Sequence, residues 1–136
     1  MKRTEELTDD ELDHYVALAL GAKEDATPEQ NLEATGLMFH WRRWIGKPRN
    51  GVFVLVNRAS LSTPWRPSRD WHQGGWLIER ERMNFATIGT GPADESGHPP
   101  IVAIPDDGRR AMSGPTHLVA AARAVVASVY GTEVPA

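Results

Sequence analysis

PSRDWHQGGWLIERER, residues 67–82, is the stretch from which the rest of the chain is read. It holds two of the five tryptophans and a glycine pair, Gly74-Gly75. Ser68 follows Pro67 where a helix N-cap is wanted, and Asp70 stands in the first turn, at the positive end of the helix dipole. Counting by three and four from Trp71 gives Trp71, Gly74, Gly75, Ile78 and Arg82, with Leu77 beside them. That is an apolar stripe with a glycine notch in it. Each glycine inside a helix costs about 0.5–1 kcal/mol relative to alanine, so two of them imply a close approach. The preferred reading is that the notch seats the helix against a sheet. The functional alternative is room for a ligand or partner. A competing local reading puts a turn at Gly74-Gly75 and starts a short helix or strand at Trp76.

Around this stretch, 136 residues are expected to form one domain, 1–136, with a single core. A 40% hydrophobic share and the tryptophans speak against a disordered chain. No run of apolar residues is long enough for a transmembrane helix, and no membrane partner is expected. The start, MKRTEELTDDELDHY, is charged and lacks an apolar core, so no secretory signal is expected. The absence of cysteine excludes disulfides and thiolate sites and makes a cytosolic compartment the default.

The net charge of −3 is unevenly spread. Residues 1–41 hold three basic and ten acidic side chains, whereas residues 42–82 hold nine basic and three acidic. All five tryptophans lie in or beside the basic middle. Such asymmetry marks either an anion-binding surface or an acidic N-terminus folded back on the basic middle; the fold-back is preferred.

In chain order, Thr8 as N-cap and Glu11 three positions on predict a capping box for a helix over Asp9–Leu20, with Gly21 as its stop. Thr27-Pro28 can open a short helix. Leu37–Ile45 reads weakly as a strand, Asn50-Gly51 as a hairpin signal, and Val52–Val56 as a central strand covered on both faces. Arg58–Arg66 reads as loop. Strands are expected near Met83–Ile88 and Ile101–Ile104, with loops at Gly89–Pro100 and Pro105–Gly114. An alanine-rich helix follows Pro115 and stops at Gly131; the tail GTEVPA is extended. The class is α+β: a central, mostly antiparallel sheet of about three to five strands with about three helices on its two faces, an α/β/α sandwich.

Three blocks carry a family resemblance. Leu7, Thr8, Leu12, Asp13, Val16 and Ala17 match an early L-T-x-x-x-L-D-x-x-V-A helix. Pro67, Ser68, Asp70, Trp71, Gln73, Gly74, Gly75, Ile78, Glu79 and Arg80 match a P-S-T-D-W-x-Q-G-G-P-I-I-E-R block. Thr116, Leu118, Ala120, Ala121 and Arg123 match a closing T-x-L-x-A-A-x-R helix, with Gly131, Glu133 and Val134 beyond. In order and spacing the chain resembles the small phage and prophage NinX-like family. Residues 23–66 carry no match. Arg69 stands where that family has Thr, and Trp76 where it has Pro, which would move the helix start to Gly75. The resemblance implies an α/β/α arrangement, a phage-derived origin and an intracellular setting, with no reaction attached.

Catalytic signatures are absent. His14, His40, His72, His98 and His117 show no metal-ligand spacing, and there is no phosphate loop or nucleophile elbow; Gly89-Thr90-Gly91 reads as a turn. No cofactor or metal is expected. Asp70, His72 and Glu79 are the one acid–base cluster near in sequence, and a solvated helix face is the preferred reading of it. His40-Trp41-Arg42-Arg43-Trp44 interleaves aromatics with cations, which suits base stacking or a protein hot spot as well as a simple core-and-surface alternation. The sequence therefore points to a non-enzymatic accessory protein that binds a host or phage protein. Nucleic-acid binding is the alternative, and a small nucleotide- or anion-directed enzyme the third reading. The candidate surface is Trp41, Arg42, Arg43, Trp44, Trp65, Ser68, Asp70, Trp71, Gln73, Gly74, Gly75, Glu79 and Arg80.

Overall fold

A computed structural model describes residues 2–47, 50–57, 61–87, 101–105 and 111–135. The elements run β1 (Lys2–Arg3), a 3-10 turn (Thr4–Glu6), α1 (Asp9–Leu20), α2 (Pro28–Thr35), β2 (Phe39–Arg43), β3 (Gly51–Val56), β4 (Ser62–Pro64) and α3 (Trp71–Glu81). Then follow β5 (Asn84–Thr87), β6 (Ile101–Ile104), β7 (Met112–Gly114), α4 (His117–Tyr130) and β8 (Glu133–Val134).

The class is α+β, and every strand pairing among the described residues is antiparallel. The expected single central sheet, however, is divided into three: β2-β3-β4, β5-β6-β7 and the pair β1-β8. The reason is local closure. Strands on either side of α3 pair with their nearest neighbours in sequence, and the β4 edge resists extension. Pro64 has no N–H to offer, and its carbonyl accepts from Gln73 Nε2 at 2.8 Å.

The last helix is the axis of the packing. Alanines at 120, 121, 122, 124 and 127 are buried, as are Leu118, Val125 and Val126. A helix apolar on most sides is one surrounded by protein. α4 packs on α1, on α3 and on the β5-β6-β7 sheet. A Cβ on Gly114 would lie 2.8 Å from the Ala120 nitrogen, so β7 meets α4 through bare backbone. Arg123 is buried within this helix and donates from Nε and Nη2 to the Leu7 carbonyl and from Nη1 to the Ser113 carbonyl. Burial lowers its pKa below the ordinary arginine value. Its work is structural: it joins the N-terminal turn, β7 and α4.

The two ends of the chain meet. Lys2 pairs with Val134 and Arg3 with Glu133, Thr4 Oγ1 donates to the Gly131 carbonyl at 2.7 Å, and the Tyr15 hydroxyl donates to the Pro135 carbonyl. No helix among the described residues is long and apolar enough to cross a membrane.

Several local expectations change. Thr8 takes the N-cap position of α1, but its side chain makes no capping bond, so the box with Glu11 does not form. The box forms at α2 instead, where Thr27 Oγ1 accepts from the Gln30 N–H and Gln30 Oε1 from the Thr27 N–H. Ser62–Pro64 and Met112–Gly114, expected as loop, are short strands. The loop at Gly89–Pro100, the Gly89-Thr90-Gly91 turn and His98 lie outside the described residues.

Candidate functional site

The hairpin β2–β3 sorts its side chains by alternation. Phe39, Trp41 and Phe53 point inward. Phe39 meets Trp65 edge to face with centroids 4.8 Å apart, and Trp41 meets Phe53 at 4.9 Å and His14 at 5.3 Å. Gly51 permits this, because a Cβ there would fall 2.2 Å from the Trp41 ring. His40, Arg42, Val52 and Val54 share the outer face through the pairs His40↔Val54 and Arg42↔Val52, and Pro64 joins them opposite Val54. Val54 is buried there without joining the main core. β3 is central, as expected, but the main core lies on only one of its faces.

The segment 65–69 crosses behind this sheet and is pinned to α1. The Trp65 indole N–H donates to the Asp13 carbonyl at 3.0 Å, the Ser68 backbone N–H donates to Asp13 Oδ1 at 2.9 Å, and Arg69 Nη2 reaches Asp13 Oδ2 at 3.2 Å. Arg69 also donates to Asp10 Oδ1 at 2.8 Å, and Lys47 Nζ to Asp10 Oδ2 at 2.9 Å. The acidic N-terminus thus folds back on the basic middle. Burial pushes the Asp13 carboxyl up to about 6, with Ser68 and Arg69 pulling the other way. Asp10, more exposed, is held below its ordinary value chiefly by its hydrogen bond to Lys47.

Between these parts lies a groove of about 380 Å³. Val52, Val54 and Pro64 supply apolar lining, Trp44 an indole, and Arg42, Lys47, Arg66 and Arg69 the charge, with Asp10 as the acid among them. Trp44 is 53% exposed, and Lys47 Nζ lies 5.2 Å from its ring centre. The volume falls within the range of small ligand sites, and its lining joins apolar to cationic side chains.

The candidate residues divide on this geometry. Arg42, Trp44 and Trp65 line the groove, Trp65 from a buried position at 2% exposure. Trp41 belongs to the inner face, and Arg43 is exposed on that side of the strand. Ser68 is buried and does not cap α3; the N-cap is Asp70, whose Oδ1 accepts from the His72 and Gln73 backbone N–H groups. The helix therefore begins at Trp71, neither at Ser68 nor at Gly75. Gln73 is buried and clamps the preceding turn, its Oε1 accepting from the Arg66 N–H and its Nε2 donating to Pro64. A Cβ on Gly74 would meet Leu118 Cδ2 at 2.4 Å and the Pro67 carbonyl at 2.5 Å, so the notch seats α3 on α4 and its own entry turn rather than on a sheet. At Gly75 a Cβ would meet nothing. Trp71 is exposed, beside His117; Glu79 is exposed; and Arg80 donates to the Thr35 carbonyl at 2.7 Å while lying over Trp76. His72 is exposed, and neither it nor Asp70 or Glu79 lines the groove. Among the described residues no cluster could hold a metal ion.

Asp10, Lys47, Arg66 and Arg69 also line the groove, and Asp13 braces Arg69 and Ser68 beside it; none of the five stands among the sequence candidates. The charge asymmetry between the two segments was their only signal, and it carries no pairing information.

A family model described as bacteriophage P22 NinX matches residues 3–129. The chain belongs to the NinX family. A comparison with curated proteins finds no match. In this NinX chain the three sequence blocks touch one another in a closed triangle: Asp13 holds Ser68, Gly74 rests on Leu118, and Arg123 holds Leu7. The blocks build the frame of the NinX fold, while Arg42, Trp44, Lys47, Val52, Val54 and Pro64 come from the segment that carried no motif.

Proposed function

We propose that this phage-family chain acts by binding a host or phage protein through the groove on the outer face of the β2-β3-β4 sheet, and that it catalyses no reaction. The observation that carries the reading is Trp44, an indole 53% exposed over a hollow whose lining joins valines to arginines. Tryptophan and arginine dominate interface hot spots, because each combines a large contact area with a polar handle. A catalytic reading through Asp70, His72 and Glu79 has little support, since Asp70 is engaged in capping and the other two stand in solvent. Single-stranded nucleic acid is less well matched. Stacking successive bases takes a series of exposed rings, and Trp44 is the one exposed indole lining this groove.

The test is affinity capture from a lysate of host cells carrying the phage, with wild type and Trp44→Ala compared. Wild type is expected to retain a discrete protein that the variant loses, with circular dichroism and melting temperature unchanged. Equal capture by both would remove the groove from the reading. A parallel titration with single-stranded DNA is expected to give no saturable tryptophan quenching; quenching that saturates and weakens steeply with salt would transfer the groove to nucleic acid.

A further inference from the structure

The groove's charge is incompletely balanced by the described residues. Lys47 and Arg69 share Asp10, and Arg69 reaches on to Asp13. Arg42 and Arg66 are exposed and form no ion pair with a described residue. Asp10 shows what this rim holds well: one carboxylate accepting from an ammonium at 2.9 Å and a guanidinium at 2.8 Å. Beneath the rim, Val52, Val54 and Pro64 offer nothing to a charged group.

Resting on the reading above, we propose that the occupant is an acidic segment of the partner protein that carries an aliphatic side chain between its carboxylates. The aliphatic group fills the valine-lined hollow against the Trp44 indole and gains from leaving water. The flanking carboxylates meet Arg42 and Arg66, where guanidinium geometry favours two-point contact. A phosphate backbone would satisfy the cations but leave the valines unfilled. Asp10 acts as an internal competitor: it occupies Lys47 and Arg69 in the free protein, so an incoming carboxylate finds two of the four cations already engaged.

The experiment uses the full chain and a fluorescein-labelled peptide of glutamates flanking one leucine, read by anisotropy. A peptide with glutamine in place of leucine and a single-stranded oligonucleotide serve as controls. Saturable binding of the first peptide is expected, with the glutamine peptide weaker. Arg42→Glu and Arg66→Glu should each weaken binding by roughly tenfold, as expected for charge reversal at an exposed rim. Asp10→Asn should strengthen it about threefold, because removing the competitor frees two cations. A merely structural role for Asp10 predicts the opposite sign, and melting curves on each variant separate misfolding from lost contact. The proposal is overturned if the peptide fails to bind, if Asp10→Asn weakens binding, if the oligonucleotide binds instead, or if light scattering shows self-association abolished by Arg42→Glu. If capture of a partner depends on Trp44 while the peptide does not bind, this proposal falls and the broader reading stands. If Trp44→Ala changes neither, both fall.

Discussion

At the scale of single residues, Asp13 is a carboxyl whose chemistry folding alters. Its side chain is 3% exposed, and its carboxyl rises from 3.8 to about 6. A carboxyl with a folded pKa above its unfolded one holds its proton more tightly in the fold. Its contribution is therefore most favourable below about pH 4 and erodes as pH rises through 6, a loss of about 3 kcal/mol at the usual conversion. Asp10 has the opposite sign: its pairing with Lys47 stabilises the fold at neutral pH and is lost in acid. The Asp13→Asn variant should gain stability relative to wild type between pH 4 and 7, read as the difference of the two melting temperatures across that range. A difference independent of pH would show that Asp13 titrates normally. Sequence placed Asp13 on α1 but not its burial, because the groups that enclose it, Trp65 and Ser68, lie more than fifty residues away. Both Ser68 and Asp70 are good capping residues; the cap falls to Asp70, while the Ser68 backbone N–H donates to Asp13.

At the scale of elements, the glycine pair of α3 separates two effects that look alike in sequence. Gly74→Ala forces a methyl against a backbone carbonyl, and such overpacking should lower stability by about 1–3 kcal/mol. Gly75→Ala meets open space and should raise stability by about 0.5–1 kcal/mol through helix propensity alone. Chemical denaturation of the two single variants checks both signs; equal effects would mean that the notch is not a packing device. The limits of α1 were legible because helical periodicity and stop residues are local properties; the expected stripe of α3 was not, since Trp71 is exposed and the buried face is Gln73, Gly74 and Leu77, a choice made by packing on α4. β4 and β7 were not, because strands of three residues ending in proline or glycine hardly differ from loops in composition. β1 and β8, two residues each, have no identity apart from each other.

At the scale of the whole molecule, the charge asymmetry became Asp10 and Asp13 facing Lys47 and Arg69, which leaves Arg42 and Arg66 as the groove cations with no ion pair among the described residues. The fold class was legible, since helices and strands could be counted; the division into three sheets was not, since it depends on which edges remain open. Of the sequence candidates, Arg42, Trp44 and Trp65 line the groove, whereas Trp41 falls on the other face of β2, an assignment that depends on strand alternation and pairing.

The pairing of β1 with β8 turns the chain into a near-closed ring. Its contacts join residues as far apart as Thr4 and Gly131, 127 positions along the sequence, and the entropic cost of closing a loop rises with the logarithm of its length. A circular permutant, with Pro135 joined to Lys2 by a short linker and new ends opened between Asp25 and Ala26, makes that pair a local hairpin and leaves the groove untouched. It should refold faster than the parent in stopped-flow measurements, as lower contact order predicts. An unchanged rate would place the meeting of the ends after the folding barrier, making it the latch on a molecule that is otherwise already formed.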